Sequence, residues 1–383
     1  MPLTSKERLW RIFKNQEYDR PSLKLWGSWK CTGDLSNIAA EYREVAMLAS
    51  ETTDLFGGVG SPFNIYYGKS DKMPVTGEVK PTDSPLWNDH ITTYHTSRGD
   101  LRTIYRASTI GEPGYTVEYA VKEEADLEKL LSMPYEPYPF SCDYENALET
   151  MGDSGIVTVN IDHAAYALQR MTGSENLALF SVDCRETVHE LISAYSERLQ
   201  THVKQFFDNG IIAPVAYVGP ELLTPPLMNE RDYMDFVYRY DKPLCDIIHN
   251  AGGYVWMHCH GKVARLLDNF IDMGIDIINP LEPPKNGDVD MLEIAEKYRG
   301  RIGLEGNIEI QDILLSSPEE LREKIRTCVD AGSRSGRFIL CPSAGFMEYV
   351  FPTPHYIENL KLYLTYGMEC VTKAQGCGDA VTF

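Results

Sequence analysis

From about residue 155 onward, the chain repeats one local pattern: a short apolar, β-branched run, then a longer stretch with helical spacing, at least six times over. The runs read as strands at 156–161, 211–218, 254–257, 275–281, 301–304 and 336–340. Helical patterns follow them, such as PEELREKIRTCVDAG with Gly332 just past its end. Strands that alternate with helices pair in parallel, because each helix must carry the chain back across the sheet before the next strand begins. No strand is followed by GxGxxG or GxxxxGK[ST], which argues against a dinucleotide-binding sheet or a phosphate loop. The pattern predicts an α/β protein of the (β/α)8 TIM-barrel type, with a doubly wound sheet of another kind as the alternative. The 383 residues are read as a single domain, 1–383.

The N-terminal part departs from this regularity. Thr4 followed by Glu7 marks the capping box of an amphipathic first helix, and SLKLWGSW reads as a first strand. Between about 55 and 120, glycines, prolines and aromatics dominate, and HITTYHTSRGDLRTIYRAS reads as a hairpin turning at Arg98-Gly99-Asp100. This region is expected to be a β-rich insertion into the barrel.

Composition limits the function. A formal net charge of −20 is wrong for gripping nucleic-acid phosphates or an anionic membrane surface. No apolar run approaches the ~20 residues of a membrane span, and the N-terminus lacks a signal-peptide core. Nine cysteines without a CxxC pair do not suggest a disulfide framework. A cytoplasmic, reduced protein is expected.

In a barrel of this type the active site lies at the C-terminal ends of the strands. Those ends carry Asp162-His163, Gly219-Pro220-Glu221, His258 and His260, Glu282, Glu305-Gly306-Asn307 and Cys341. The segment GYVWMHCHG is the most pointed of them. Residues two apart on an extended chain project to one side, so His258 and His260 should project together, with Cys259 turned away. Such a pair forms a metal site, an acid–base pair, or hydrogen-bonded histidines lining a polar rim. A mixed set of Glu, His, His and perhaps Cys suits zinc. Glu221, His258 and His260 are the preferred ligands, with Cys341 a weaker candidate because a thiol at a strand end is often core. Asp162, Glu282 and Glu305 are then expected to orient substrate or ligands, or to move protons.

Three segments, HCHGKVARLLDNFIDMGIDIINPLEPP, RIGLEGNIEIQDILLSSPEELREKI and ILCPSAG followed by PTPHYIENL, resemble the uroporphyrinogen decarboxylase superfamily. The resemblance implies a (β/α)8 barrel and one of two activities: decarboxylation, or zinc-dependent methyl transfer linked to cobalamin. The decarboxylases carry an arginine-rich first strand, whereas this chain has LKLWGSWKC without arginine. The methyltransferases carry a His-x-Cys-Gly zinc motif, which here reads His258-Cys259-His260-Gly261; where they place a second cysteine this chain has Ala344, with Cys341 three residues earlier. Fewer thiolates make a harder Lewis acid, better suited to an oxygen than to a thiol.

The expectation is therefore a corrinoid-dependent methyltransferase of the O-demethylase type, acting on a small-molecule methyl donor. Trp26, Trp29, Tyr217 and Phe346 would shape an apolar pocket. With no Asp-x-His-x-x-Gly motif in the chain, the cobalamin would arrive on a partner corrinoid protein. The alternatives are transfer from methylcorrinoid to a thiol or tetrahydrofolate, a metal-free decarboxylase in which Asp162 or Glu221 handles protons, and a non-catalytic binding protein. Assembly into an oligomer is left open.

Overall fold

A computed structural model describes residues 2–27, 35–36, 38–218, 220–345 and 352–374. Among the described residues, twelve strands fall into two sheets. The larger is built from β1 (Ser22–Leu23), β2 (Leu55–Val59), β7 (Gly155–Ile161), β8 (Pro214–Val218), β9 (Tyr254–His258), β10 (Ile277–Asn279), β11 (Gly303–Ile308) and β12 (Phe338–Pro342). Every pairing within it is parallel, in the order β1-β12-β11-β10-β9-β8-β7-β2. The sheet is curled and barrel-like, and its two end strands meet where the Asp54 N–H donates to the Leu23 carbonyl at 2.8 Å.

Curling divides the apolar residues into two layers. Phe56, Ile156, Ala216, Trp256, Ile277, Ile339 and Cys341, from six strands, pack together on the inner face. The first helix, Ser5–Phe13, adds Leu9, Ile12 and Phe13 to this cluster. Thr4 and Glu7 form its capping box as expected, and the buried Arg337 guanidinium donates to the Ile12 and Phe13 carbonyls at its other end. Each fully buried side chain of this kind contributes on the order of 2 kcal/mol. The larger cluster fills the space between the sheet and the surrounding helices.

The second sheet is antiparallel: β3 (Val75–Pro81), β4 (Trp87–Thr96), β5 (Gly99–Ser108) and β6 (Tyr115–Glu118), paired in sequence order. It is the β-rich insertion, with two adjustments. Leu55–Val59 belongs to the barrel-like sheet, pairing with β7 from Leu55↔Gly155 to Val59↔Val159. The hairpin turns at Ser97–Arg98, so Gly99 and Asp100 open β5.

Candidate metal and substrate site

The C-terminal half of the barrel-like sheet surrounds a cavity of about 720 Å³. Its walls come from β1 and its continuation (Lys24, Trp26), β2 (Phe56, Gly58), β7 (Thr158, Asn160), β8 (Ala216, Val218), β9 (Trp256, His258) and Ser343. Inward-facing residues alternate along each strand, so His258 stands one inward step above Trp256 and in register with Val218 and Asn279.

At the rim, His258 and His260 project together as the spacing predicted, their ring centroids 4.5 Å apart and nearly perpendicular. Each ring is held from behind by an oxygen. His258 Nδ1 donates to Asn279 Oδ1 at 2.7 Å, and His260 Nδ1 to Glu282 Oε1 at 3.0 Å. Both tautomers follow from these partners, with the proton on Nδ1 and the lone pair on Nε2. Burial, followed by the neighbouring His260, pushes His258 down to about 4, so it is neutral at physiological pH and able to ligate. Burial works against the Glu282 charge, but hydrogen bonds from His260 and from the Gly261 N–H outweigh it and hold the carboxyl below its ordinary range. Glu282 thus fixes the orientation of the His260 ring.

Glu221 lies in a short 3₁₀ turn, Pro220–Leu223, beyond β8. Burial raises its pKa; His260 and His163 pull it down in part, and Glu282 raises it further. Its Oε2 is buried without a hydrogen-bond partner. A buried orphan oxygen within electrostatic reach of two histidines is the kind of group a cation would satisfy. Glu221, His258 and His260 are donors of the kind zinc takes, but among the described residues no group of three His, Cys, Asp or Glu is placed so that it could hold a metal ion.

Two residues expected at the rim lie on the floor instead. Glu305 falls inside β11 and is completely buried, with Oε1 accepting from Lys24 Nζ at 2.7 Å and Oε2 from Trp256 Nε1 at 2.8 Å. The Lys24 ammonium sits over Trp26, Phe56 and Trp256, 4.3, 4.1 and 4.6 Å from their centroids. Cys341 lies inside β12, donates to the Pro342 carbonyl at 3.3 Å, and is pushed well above its ordinary pKa by burial and then by Glu305. It belongs with Glu305, not with the histidine pair. Asp162 is not among the residues that line the cavity: it accepts from the His163 N–H and pairs with Arg170.

Lys24, Asn160, Asn279 and Asp241, which pairs with the buried His163 at 2.7 Å, were not singled out from the sequence. Lys24 carries the only visible signal, a cation between the leucines of an apolar strand. Trp26 lines the cavity and contacts His258 at 5.4 Å, whereas Tyr217 stacks on His163 behind the sheet. Trp29 and Phe346 lie outside the described residues, as does Gly219.

The family model for uroporphyrinogen decarboxylase matches residues 154–362, more than half of the 383-residue chain. The chain belongs to the uroporphyrinogen decarboxylase family. No curated protein matches its sequence. Among solved structures, a methyltransferase from Methanosarcina mazei is similar with a TM-score of 0.56 at 14% identity, over 96% of this chain and 99% of that one. A fructose-1,6-biphosphate aldolase homologue from Coccidioides immitis (TM-score 0.27, 12% identity, 60% and 74% covered) is far less similar. So is the muconate lactonizing enzyme from Pseudomonas putida (0.25, 11%, 70% and 78%). The first of these likenesses extends across both the family-matched segment and the N-terminal part. This member of the family carries its cavity lysine just beyond the first strand, in a segment without arginine. No helix among the described residues is long and apolar enough to cross a membrane.

Proposed function

We propose that the chain is a (β/α)8 methyltransferase that passes a methyl group from a small methoxylated compound to cob(I)alamin on a separate corrinoid protein, with zinc held by Glu221, His258 and His260. The observation that carries this reading is the paired imidazoles, each fixed through Nδ1 by an oxygen partner, beside the orphaned Glu221 Oε2. Zinc bound to these nitrogen and oxygen donors supplies Lewis acidity that makes a substrate oxygen a better leaving group. Trp26, Phe56 and Trp256 give the cavity flat apolar walls against which a ring can lie and from which water is displaced. Asn279 and Glu282 keep the two imidazoles from rotating, and Cys341 is left out of the ligand set.

The decarboxylase alternative needs cations free to hold substrate carboxylates. Lys24 is the cation lining the cavity among the described residues, and Glu305 already neutralises it.

Purified protein should contain about one zinc per chain by elemental analysis. His258→Ala and His260→Ala should each lose most of it without losing the fold, since a large core does not depend on the site. Zinc-loaded enzyme mixed with cob(I)alamin and aryl methyl ethers should yield methylcobalamin, seen by its absorbance. No transfer across a broad donor panel, together with carbon dioxide release from a carboxylated substrate, would establish the decarboxylase instead.

A further inference from the structure

β3 is an edge of the insertion sheet, and every one of its residues, Val75 to Pro81, is exposed. It pairs with β4 from Val75↔Tyr94 to Pro81↔Asn88 without a bulge. Just beyond its ends, the His95 N–H donates to the Pro74 carbonyl at 3.0 Å and the Thr82 N–H to the Trp87 carbonyl at 3.3 Å. Backbone groups alternate sides along a strand, so the even-numbered residues bond towards β4. Val75, Gly77, Val79 and Pro81 turn theirs to the open edge, a template for one more strand. Soluble proteins block such edges with lysine, proline or a bulge. Here Pro81 closes only the last position, and Lys80 brings its own counter-charge, Glu78 of the same strand, at 3.1 Å.

The side chains make this edge complementary to itself. Glu78 and Lys80 share one face, and Val79 lies on the other, in register with His90 and Tyr105. Val79 and Tyr105 are 58% and 44% exposed. An identical antiparallel strand that overlaps most of β3 must have its twofold axis at Gly77, Glu78, Val79 or Lys80, because outward-facing residues oppose one another. An axis at Glu78 or Lys80 sets like charges face to face, and one at Gly77 leaves both charges opposite uncharged residues. An axis at Val79 sets Glu78 opposite the second copy's Lys80, and Lys80 opposite its Glu78. Opposite charges across a strand pair stabilise it, and like charges destabilise it. Lys80 already lies opposite Asp89, which binds Arg106 at 2.7 Å, so the second copy's Glu78 continues a row of alternating charge. On the other face the two Val79 side chains cover each other. Across the edge the Val79 N–H meets the second copy's Val79 carbonyl, and the Gly77 N–H meets its Pro81 carbonyl.

We propose that the chain associates with a second copy of itself through β3, antiparallel about Val79, joining the two insertion sheets into one. This association is independent of the reaction at the barrel mouth. One strand pair is a small contact, so it forms weakly and reversibly, against the repulsion of two molecules that each carry a net charge of −20.

Full-length protein is followed by sedimentation equilibrium from about 10 μM to about 1 mM, in about 0.15 M salt, where charges more than about 8 Å apart are screened. Wild type should show a monomer–dimer equilibrium. Glu78→Lys and Lys80→Glu should each weaken it about tenfold or more, since each leaves like charges opposed in both pairs. An equimolar mixture of these two variants should associate at least as well as wild type, and the double exchange Glu78→Lys, Lys80→Glu should restore the wild-type constant. General repulsion does not give this pattern, because Glu78→Lys lowers the net negative charge and Lys80→Glu raises it. Val79→Pro deletes an outward N–H and none bonded to β4, and should abolish association with thermal unfolding as in wild type. Should its unfolding midpoint fall, the charge exchange decides alone. A monomer at every concentration overturns the proposal. So does a dimer that both single variants leave unchanged, which places the contact elsewhere, or one that Lys80→Glu weakens and Glu78→Lys strengthens, which is net charge alone.

Discussion

The floor and the rim of the cavity are built from similar residues and treat them differently. On the floor, Lys24 and Glu305 are 4% and 0% exposed, and both carboxylate oxygens of Glu305 are engaged, one by the ammonium and one by an indole N–H. At the rim, Glu221 Oε2 and Asn279 Nδ2 are buried with no partner, and the His260 side chain remains 38% exposed. The charges of the Lys24–Glu305 pair on the floor are satisfied within the fold, while at the rim Glu221 and Asn279 each keep a buried polar atom without a hydrogen-bond partner. Charged residues near strand ends thus divide by whether their hydrogen bonds are already made, not by residue type.

The largest effect should come from breaking the floor. Glu305→Gln leaves the Lys24 ammonium buried against three aromatic rings with no counter-charge, and a buried charge stripped of its partner costs about 3–5 kcal/mol. Chemical denaturation should show a loss of that size, with most of it recovered in the double variant Lys24→Met, Glu305→Leu. A loss below about 1 kcal/mol, smaller than a typical mutational effect, would mean that floor and rim do not differ in the way argued above.

This division was only half legible in the sequence. The alternation of strand and helix, the capping box at Thr4 and the shared projection of His258 and His260 follow from local periodicity, and the fold honours all of them. The misplacement of Glu305 and Cys341 came from strand ends. GLEGNI, with two glycines around a glutamate, reads as a strand giving way to a loop, yet β11 runs through it to Ile308. The partner that makes a buried glutamate tolerable is 281 positions away, and no local window contains it. Leu55–Val59 was absorbed into the insertion for a similar reason. Its Gly57-Gly58 pair looks like turn material, but Gly58 is required because Asn160 of the neighbouring strand occupies the space of its side chain. Asp162 and His163 were correctly placed at a strand end, but whether either faces the cavity depends on Arg170 and Asp241, which the sequence does not bring near them.

A second test separates rim from scaffold by pH. His202, in the helix Arg185–Asp208, is stacked on Phe63 at 4.2 Å and edge-on to Phe206, and burial lowers it to about 4. The unfolded chain takes up this proton near pH 6.5. Between those values the unfolded state binds more protons, so stability is fully present above about 6.5 and is lost as pH falls towards 4, by about 3 kcal/mol in all. His202→Gln should remove that portion of the acid dependence in denaturation curves across the window. Zinc should leave the His202 portion unaltered, since His202 lies among helices and not at the rim. An acid dependence identical in wild type and variant would show that His202 titrates normally.

Smaller still is the effect of loosening a ligand from behind. Glu282→Gln keeps the shape but weakens the hydrogen bond that sets the His260 tautomer and tilt. Zinc affinity, measured by competition with a chelator, should fall about 10–100-fold, with little change in the unfolding midpoint. Unchanged affinity would detach His260 from the metal.

The smallest change in stability, and the sharpest contrast with Glu305, is expected at Glu221. In the metal-free chain this carboxylate is half-buried, its pKa is raised first of all by burial, and one of its oxygens bonds to nothing. An ionised group in that position works against folding at neutral pH. Glu221→Gln removes the charge while keeping the volume, so metal-free protein should be unchanged or stabilised by no more than about 1 kcal/mol, where Glu305→Gln loses several. Zinc binding should move the other way and weaken, because an amide oxygen is a poorer ligand than a carboxylate. If Glu221→Gln destabilises the metal-free fold as severely as Glu305→Gln, then Glu221 is a structural residue with an unrecognised partner, and the rim loses its oxygen ligand.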